Sequence, residues 1–261
     1  MNLLISDFYR IVKDKVLYVM LGALAVLSLL MCVVLNLLYG DNTPIVTEVM
    51  MRCLGVDTMG VIIGIAVALF TGKDYEHNTI RNKICCGEGR YKIYLTKLIE
   101  SIVIASLFFG FTMLCCTLFG AFFGFEFKVA DEFWEKVTCE WLIVLGFTAI
   151  VNCICVTTKS SKITIIFTVV QFVVFNALGR MLPTISDGTL VKVICRALYF
   201  TVSNMLLDST NGLYTANIFS DGQRITVEYG SMFLNAILAS LIYIALAISI
   251  SIFVVRKQEY K

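Results

Sequence analysis

Few side chains in this sequence have the chemistry of a reactive or ligand-holding site. There is one histidine, His77, and there are ten cysteines. His77 lies in a charged run with no cysteine or second histidine at metal-ligand spacing, so contact with solvent or a partner fits it better than catalysis. Cys32, Cys115, Cys116, Cys153 and Cys155 fall inside apolar runs, where a thiol behaves as a small hydrophobe. Cys85 and Cys86 are adjacent rather than spaced as C-x-x-C, and Cys153-Ile154-Cys155 has no second pair nearby, so a zinc site is not expected. Cys53, Cys139 and Cys195 lie in segments expected outside, and a bridge among them stays open. This use of free cysteine points to a reducing or anaerobic habitat. No G-x-x-x-x-G-K-[ST] loop occurs, since Thr71-Gly72-Lys73-Asp74 lacks both the glycine-rich run and the closing hydroxyl, and neither H-E-x-x-H nor G-x-S-x-G is present. The chain reads as a non-enzyme with no metal or cofactor of its own.

The polar chemistry is concentrated in one island, Gly72 to Arg90, between two long hydrophobic runs. Such an island must sit in water, and its basic surplus says on which side of a membrane. Asp74 is placed to cap a short helix there, because an acceptor side chain suits the orphan N–H groups and the positive helix end. Ile80 and Ile84 then share one face at i,i+4, with Arg81 and Lys83 turned away, and Gly87 and Gly89 end the helix.

The elements that must hold this island are membrane helices. Apolar residues make up 59% of the 261, mean hydropathy is +0.86 and charged residues are 15%, against about 45–50% apolar and about 25% charged in soluble domains. The net charge of +2, with no basic run interleaved with aromatics, gives no case for nucleic acid. The expected fold is all-α, a single polytopic membrane domain over 1–261. An amphipathic interfacial helix over 2–15 sets Leu4, Phe8, Ile11 and Val12 against Asp7, Arg10, Lys13 and Asp14. Its acidic residues, and an apolar run continuing to Leu38, favour an uncleaved anchor over a cleaved signal peptide. Six spans follow, at about 17–39, 56–71, 97–124, 140–158, 163–179 and 231–255, each near the length a bilayer needs. With the amino terminus inside, fourteen of the 21 basic residues fall in the inside segments, so both termini are expected in the cytosol of a bacterial plasma membrane. Tyr94 and Lys97 then project into the cytosol ahead of the third span. Residues 72–96 form an inside loop, whereas 40–55 and 125–139 are short outside connections. The long outside segment 180–230 reads as helical over 189–207, with a seventh short span competing, and as turning at 208–212 and 220–222.

No ionisable residue lies near the middle of a span. Glu100 and Glu140 fall near span ends, within reach of headgroups or water, which argues against an ion-coupled carrier. Asn36, Asn152, Gln171, Asn176 and Asn235 are the neutral polar residues inside spans, for which hydrogen bonding between helices is the ordinary role. Gln171, Phe167, Val174 and Phe175 form one stripe of the fifth span; with Asn36 they are the candidates for a substrate cavity. Gly60 and Gly64 form a G-x-x-x-G pair that suits close packing within one protomer or between two.

The run Gly72-Lys73-Asp74-Tyr75-Glu76-His77-Asn78-Thr79-Ile80-Arg81-Asn82-Lys83-Ile84, followed by Arg90-Tyr91-Lys92-Ile93-Tyr94-Leu95-Thr96-Lys97, resembles the cytoplasmic loop of ABC-2-type ABC transporter permeases. The likeness is to small six-span members tied to export of, and immunity to, peptide antibiotics in Gram-positive bacteria, and in layout it covers the whole chain. It implies that the loop is a coupling helix docked on a separate ATP-binding subunit, with Glu76, Asn78, Thr79, Arg81 and Lys83 touching that subunit, which would bind the ATP and magnesium. It also implies a second permease protomer, identical or related, and an exported amphipathic cargo such as an antimicrobial peptide. The competing reading is a non-transporting membrane scaffold or sensor that recruits a cytosolic protein through residues 72–96.

Overall fold

The structure is a computed structural model that describes residues 2–39, 45–77, 79–127, 133–185, 213–220 and 223–257. Its body is all-helical. Helix α1 (Asn2–Lys13) leads into α2 (Lys15–Tyr39), α3 (Val46–Leu54), α4 (Val56–Glu76), α5 (Thr79–Cys85), α6 (Arg90–Phe122), α7 (Phe133–Thr158) and α8 (Ser161–Ile185). A hairpin of β1 (Leu213–Ser220) and β2 (Gln223–Ser231) precedes the last helix, α9 (Met232–Lys257). Among the described residues, five helices are long and apolar enough to cross a membrane: those over Lys15–Leu38, Thr58–Glu76, Arg90–Phe122, Phe133–Thr158 and Phe233–Val254. They overlap five of the six stretches expected to span, with earlier starts for the third and fourth and a later end for the second. The expected fifth span coincides with α8, 25 residues long, whose described apolar stretch runs only from Ser161 to Val174.

The core lies where α4 and α7 meet their neighbours. Leu24, Met59, Ile63, Phe108, Ile143 and Phe147 are fully enclosed there, while α2, α8 and α9 turn rows of Leu, Ile and Val outward. Small residues set the closest approaches. A Cβ on Gly64 would stand 2.3 Å from Thr168 Cγ2, and one on Gly72 would stand 2.6 Å from Ser161 Cα, so α4 and α8 run antiparallel nearly in backbone contact. The glycine pair noticed in the sequence thus packs, at Gly64, inside the protomer. Gly146 does the same for α7 against Ser240 of α9.

Two segments expected outside depart from expectation. The 40–55 connection contains α3, whose Val49, Cys53 and Leu54 are wholly buried against α6 and α7, because valine, methionine and leucine spaced for one helical face find a core to fill. After the stretch expected to be helical, the segment before the last span holds an antiparallel hairpin around the expected 220–222 turn, with Ile218 opposite Ile225 and Ser220 opposite Gln223. Alternating β-branched and aromatic residues on either side of Asp221-Gly222 favour pairing over a helix. The helix expected at 189–207, and the turn at 208–212, lie outside the described residues. Cys53 and Cys139 are free and buried, which answers the open bridge for those two; Cys195 is not among the described residues.

Candidate functional site

The polar island condenses around Lys97. This residue has no solvent exposure, yet it stands two turns into α6 and carries a charge. Its Nζ lies 2.5 Å from Asp74 Oδ2, 2.5 Å from Glu100 Oε2 and 3.1 Å from Asp7 Oδ2. A buried ammonium is tolerable only when carboxylates replace its water. Those carboxylates in turn hold two further cations. Arg10 grips Asp74 through both terminal nitrogens, each at 2.6 Å, and Lys83 sits 2.7 and 2.8 Å from the two oxygens of Asp7. Three anions and three cations from α1, α4, α5 and α6 therefore form one network.

Each element brings its charge for a local reason. In α1, Asp7 and Ile11 turn toward the bundle while Ile5, Tyr9 and Val12 form an apolar stripe facing out. That stripe suits a helix lying in a membrane surface; of the expected apolar face, Val12 faces out, Leu4 and Phe8 are half-buried and Ile11 is buried beside Asp7. Burial opposes ionisation of Asp7, yet the Lys83 hydrogen bond and the Lys97 charge outweigh it and hold its carboxyl below the ordinary value. Arg10 is shifted upward by its hydrogen bond to Asp74. Asp74 does not cap α5 as expected; it falls in the last turn of α4 and is buried. Tyr94 and Lys97 do not project into solvent, and Glu100 and Glu140 are enclosed rather than near water. A long helix packed on neighbours at its polar end has no free water to offer them.

Helix α5 is a short amphipathic helix. Ile80 is buried, Ile84 is half-buried, and Arg81 and Asn82 are exposed. It ends as glycine would end it: Gly87 has φ +89°, its N–H reaches Ile84 O and the Glu88 N–H reaches Lys83 O. Gly89 instead starts α6.

The structure sorts the expected coupling residues. Arg81 points out and Thr79 is half-buried at the rim of a cavity of about 180 Å³ shared with Arg10, Lys73, Asp74 and His77. Lys83 turns inward to Asp7 rather than away with Arg81, because a buried carboxylate lies within reach of its stem. Glu76 is committed to its own chain. Its Oε1 accepts the Ser161 N–H at 2.9 Å and the Ser161 hydroxyl at 2.7 Å, capping the first turn of α8 from a different helix. Asn78 is outside the described residues.

The expected cavity residues that are described differ in exposure. Gln171 is 5% exposed on the side of α8 that also buries Thr164 and Thr168, while Phe167 is 46% exposed. Asn36 is exposed on α2, and the side chain of Phe175 is outside the described set. Among the described residues an apolar groove of about 440 Å³ lies at the other end, where α3, α6 and α7 border it, lined by Met50, Gly110, Met113, Phe127, Phe133 and Trp134.

Sequence reasoning missed the Asp7–Lys97–Asp74 network. Its one local signal was Lys97 and Glu100 at i,i+3 in an otherwise apolar helix; nothing linked either to a residue ninety positions earlier. Compared with known proteins, the chain matches no protein-family model and no curated protein sequence.

Proposed function

We propose that this chain is the membrane-spanning subunit of an ATP-driven exporter, a permease of the ABC-2 kind, embedded in a bacterial plasma membrane. The observation that carries the reading is α5: a seven-residue helix braced on its inner side by Lys83–Asp7 and Ile80, presenting Arg81 and Asn82 to the surroundings. A rigid exposed helix fixed to several spans is what a separate motor needs as a handle, since closure of that motor must reach the bundle as rigid-body motion. The handle's inner contacts run to α1, α4 and α6, and Glu76 extends the connection to α8.

The layout supports the same reading. Asp7 of α1 meets Lys97 near the start of α6, and the Tyr94 hydroxyl donates to Ala247 O of α9 at 3.5 Å, so the first and last helices have their charged ends at one end of the bundle. With α8 as a sixth span, both termini and α5 share the cytosol. At about 1.5 Å per residue, α8 would extend roughly 37 Å, enough for a bilayer core. Hydrolysis would occur on a partner subunit holding ATP and magnesium, with a second permease protomer completing the pathway and an amphipathic molecule such as an antimicrobial peptide as cargo. Glu100 is held by Lys97, so its charge is not free to relay ions.

Arg81→Glu tests the reading. Reversing an exposed charge on the docking face should weaken co-purification of the ATP-binding subunit at least about tenfold and abolish ATP-dependent efflux, with the amount of membrane-inserted protein unchanged. Lys83→Met should keep association but reduce cargo moved per ATP hydrolysed. Efflux untouched by Arg81→Glu would favour a scaffold that recruits a cytosolic protein by another face; efflux lost on collapse of the proton gradient at constant ATP would favour an ion-coupled carrier.

A further inference from the structure

Helix α5 ends in two consecutive thiols that the proposed function does not use. We propose that Cys85 and Cys86 form a vicinal dithiol, a reversible oxidation site whose co-reactant is a low-molecular-weight disulfide. Among the described residues these are the two exposed cysteines, and the other seven are buried. They share the outward side of α5 with Arg81 and Asn82, each four residues earlier. Cys85 is the last residue of α5, and the Cys86 N–H donates to Asn82 O at 3.0 Å just before the Gly87 cap.

The chemistry balances in two exchange steps. One cysteine thiolate attacks the small disulfide, forming a mixed disulfide and releasing one small thiol. The neighbouring thiolate then attacks the protein sulfur of that bond, closing a ring and releasing the second small thiol. The protein loses two hydrogens and two electrons, and the small disulfide is reduced to two thiols.

Helix geometry makes this ring a switch rather than a staple. Consecutive Cα atoms stand about 3.8 Å apart, short of the roughly 4.4–6.8 Å range of ordinary disulfides. Side chains of consecutive helical residues also diverge by about 100°. Closing the ring must therefore take Cys86 out of its helical geometry, break its bond to Asn82 O and shift the cap at Gly87. Strained, exposed disulfides are the readily reduced, regulatory kind. Oxidation would thus reshape the outward end of α5 and reduction would restore it. The consequence for a docked ATP-binding subunit rests on the function proposed above; the thiol chemistry does not.

The test uses the full chain in lipid nanodiscs, carrying Cys195→Ser to remove the cysteine outside the described residues, treated with oxidised glutathione. Trypsin releases both thiols in one peptide, Ile84 to Arg90. That peptide should lose two hydrogens without retaining glutathione and should recover on reduction, while Cys85→Ser and Cys86→Ser each retain one glutathione. In the folded chain, tryptic cleavage after Lys83 should accelerate at least about threefold on oxidation, as local opening at a loosened helix end predicts. A stable glutathione adduct on the chain with both cysteines, an unreacted peptide, or an unchanged cleavage rate overturns the proposal. None of these readouts involves ATP or transport.

Discussion

Asp7 serves two lysines at once, and that sharing sets what its loss would do. Asp7→Asn leaves Lys97 and Lys83 partly uncompensated in a buried setting, which costs about 3–5 kcal/mol when one member of a buried pair is removed. A drop in melting temperature, with release of α1 seen as faster proteolysis near Lys13 and Lys15, is the expected outcome. The same carboxyl sets an acid limit. Its folded value lies below the ordinary value of 3.8, so the stabilisation is complete above that ordinary value and is lost only as pH falls through the lower folded one. Unfolding followed from pH 8 down to 5 should therefore show no loss from this group. Asn152 is the opposite case. It is fully buried in α7, and neither its Oδ1 nor its Nδ2 has a hydrogen-bond partner among the described residues. Asn152→Leu should keep or raise the melting temperature, by about 2–4 °C per kcal/mol gained. Both residues were visible in the sequence as polar side chains in or beside apolar runs. What they touch was not, because Asp7 and Lys97 are brought together by tertiary packing alone.

Helices α4 and α8 are joined at two glycines, and each gives a measurable consequence. Gly72→Val would drive a side chain into the backbone of Ser161, a contact that cannot rotate away, at a cost of about 1–3 kcal/mol. It would also displace the Ser161 N–H from Glu76. Gly110→Ala is the matched control: nothing lies within 4 Å of its added Cβ, and alanine favours the helix by about 1 kcal/mol. Thermal unfolding of the two variants should move in opposite directions. At this scale the sequence was most informative, because the length and spacing of apolar runs determine where long helices lie. Helix α5 was legible from Ile80, Ile84 and Gly87, but not which way Lys83 turns, since a wheel cannot know that α1 folds back over it. The turn at 220–222 was legible from Asp221-Gly222, but not the two strands it joins, Leu213–Ser220 and Gln223–Ser231, because eight or nine residues of mixed polarity carry only a weak period. Helix α3 was passed over because nine residues are too few for a span and the helical period was not sought there.

In the whole molecule the charged ends of α1, α4, α5 and α6 gather at one end beside the C-terminal half of α9, and the apolar groove bordered by Trp134 sits at the other. Labelling makes this a test of orientation. A single reactive cysteine placed at Arg81, in a chain with Cys85, Cys86 and Cys195 changed to serine, should resist an impermeant thiol reagent in intact cells and react after permeabilisation. Labelling in intact cells would put α5 on the outside, where no nucleotide-driven motor is found. The long-range network also has an electrical consequence. Arg10, Lys83 and Lys97 balance the formal charges of Asp7, Asp74 and Glu100, so with all six groups ionised the unit can tilt or slide with its helices as a neutral body. One uncancelled charge crossing the full membrane potential would change the energy by about 2.3 kcal/mol per 100 mV; this unit carries none, and its movement would draw no gating current and be blind to voltage.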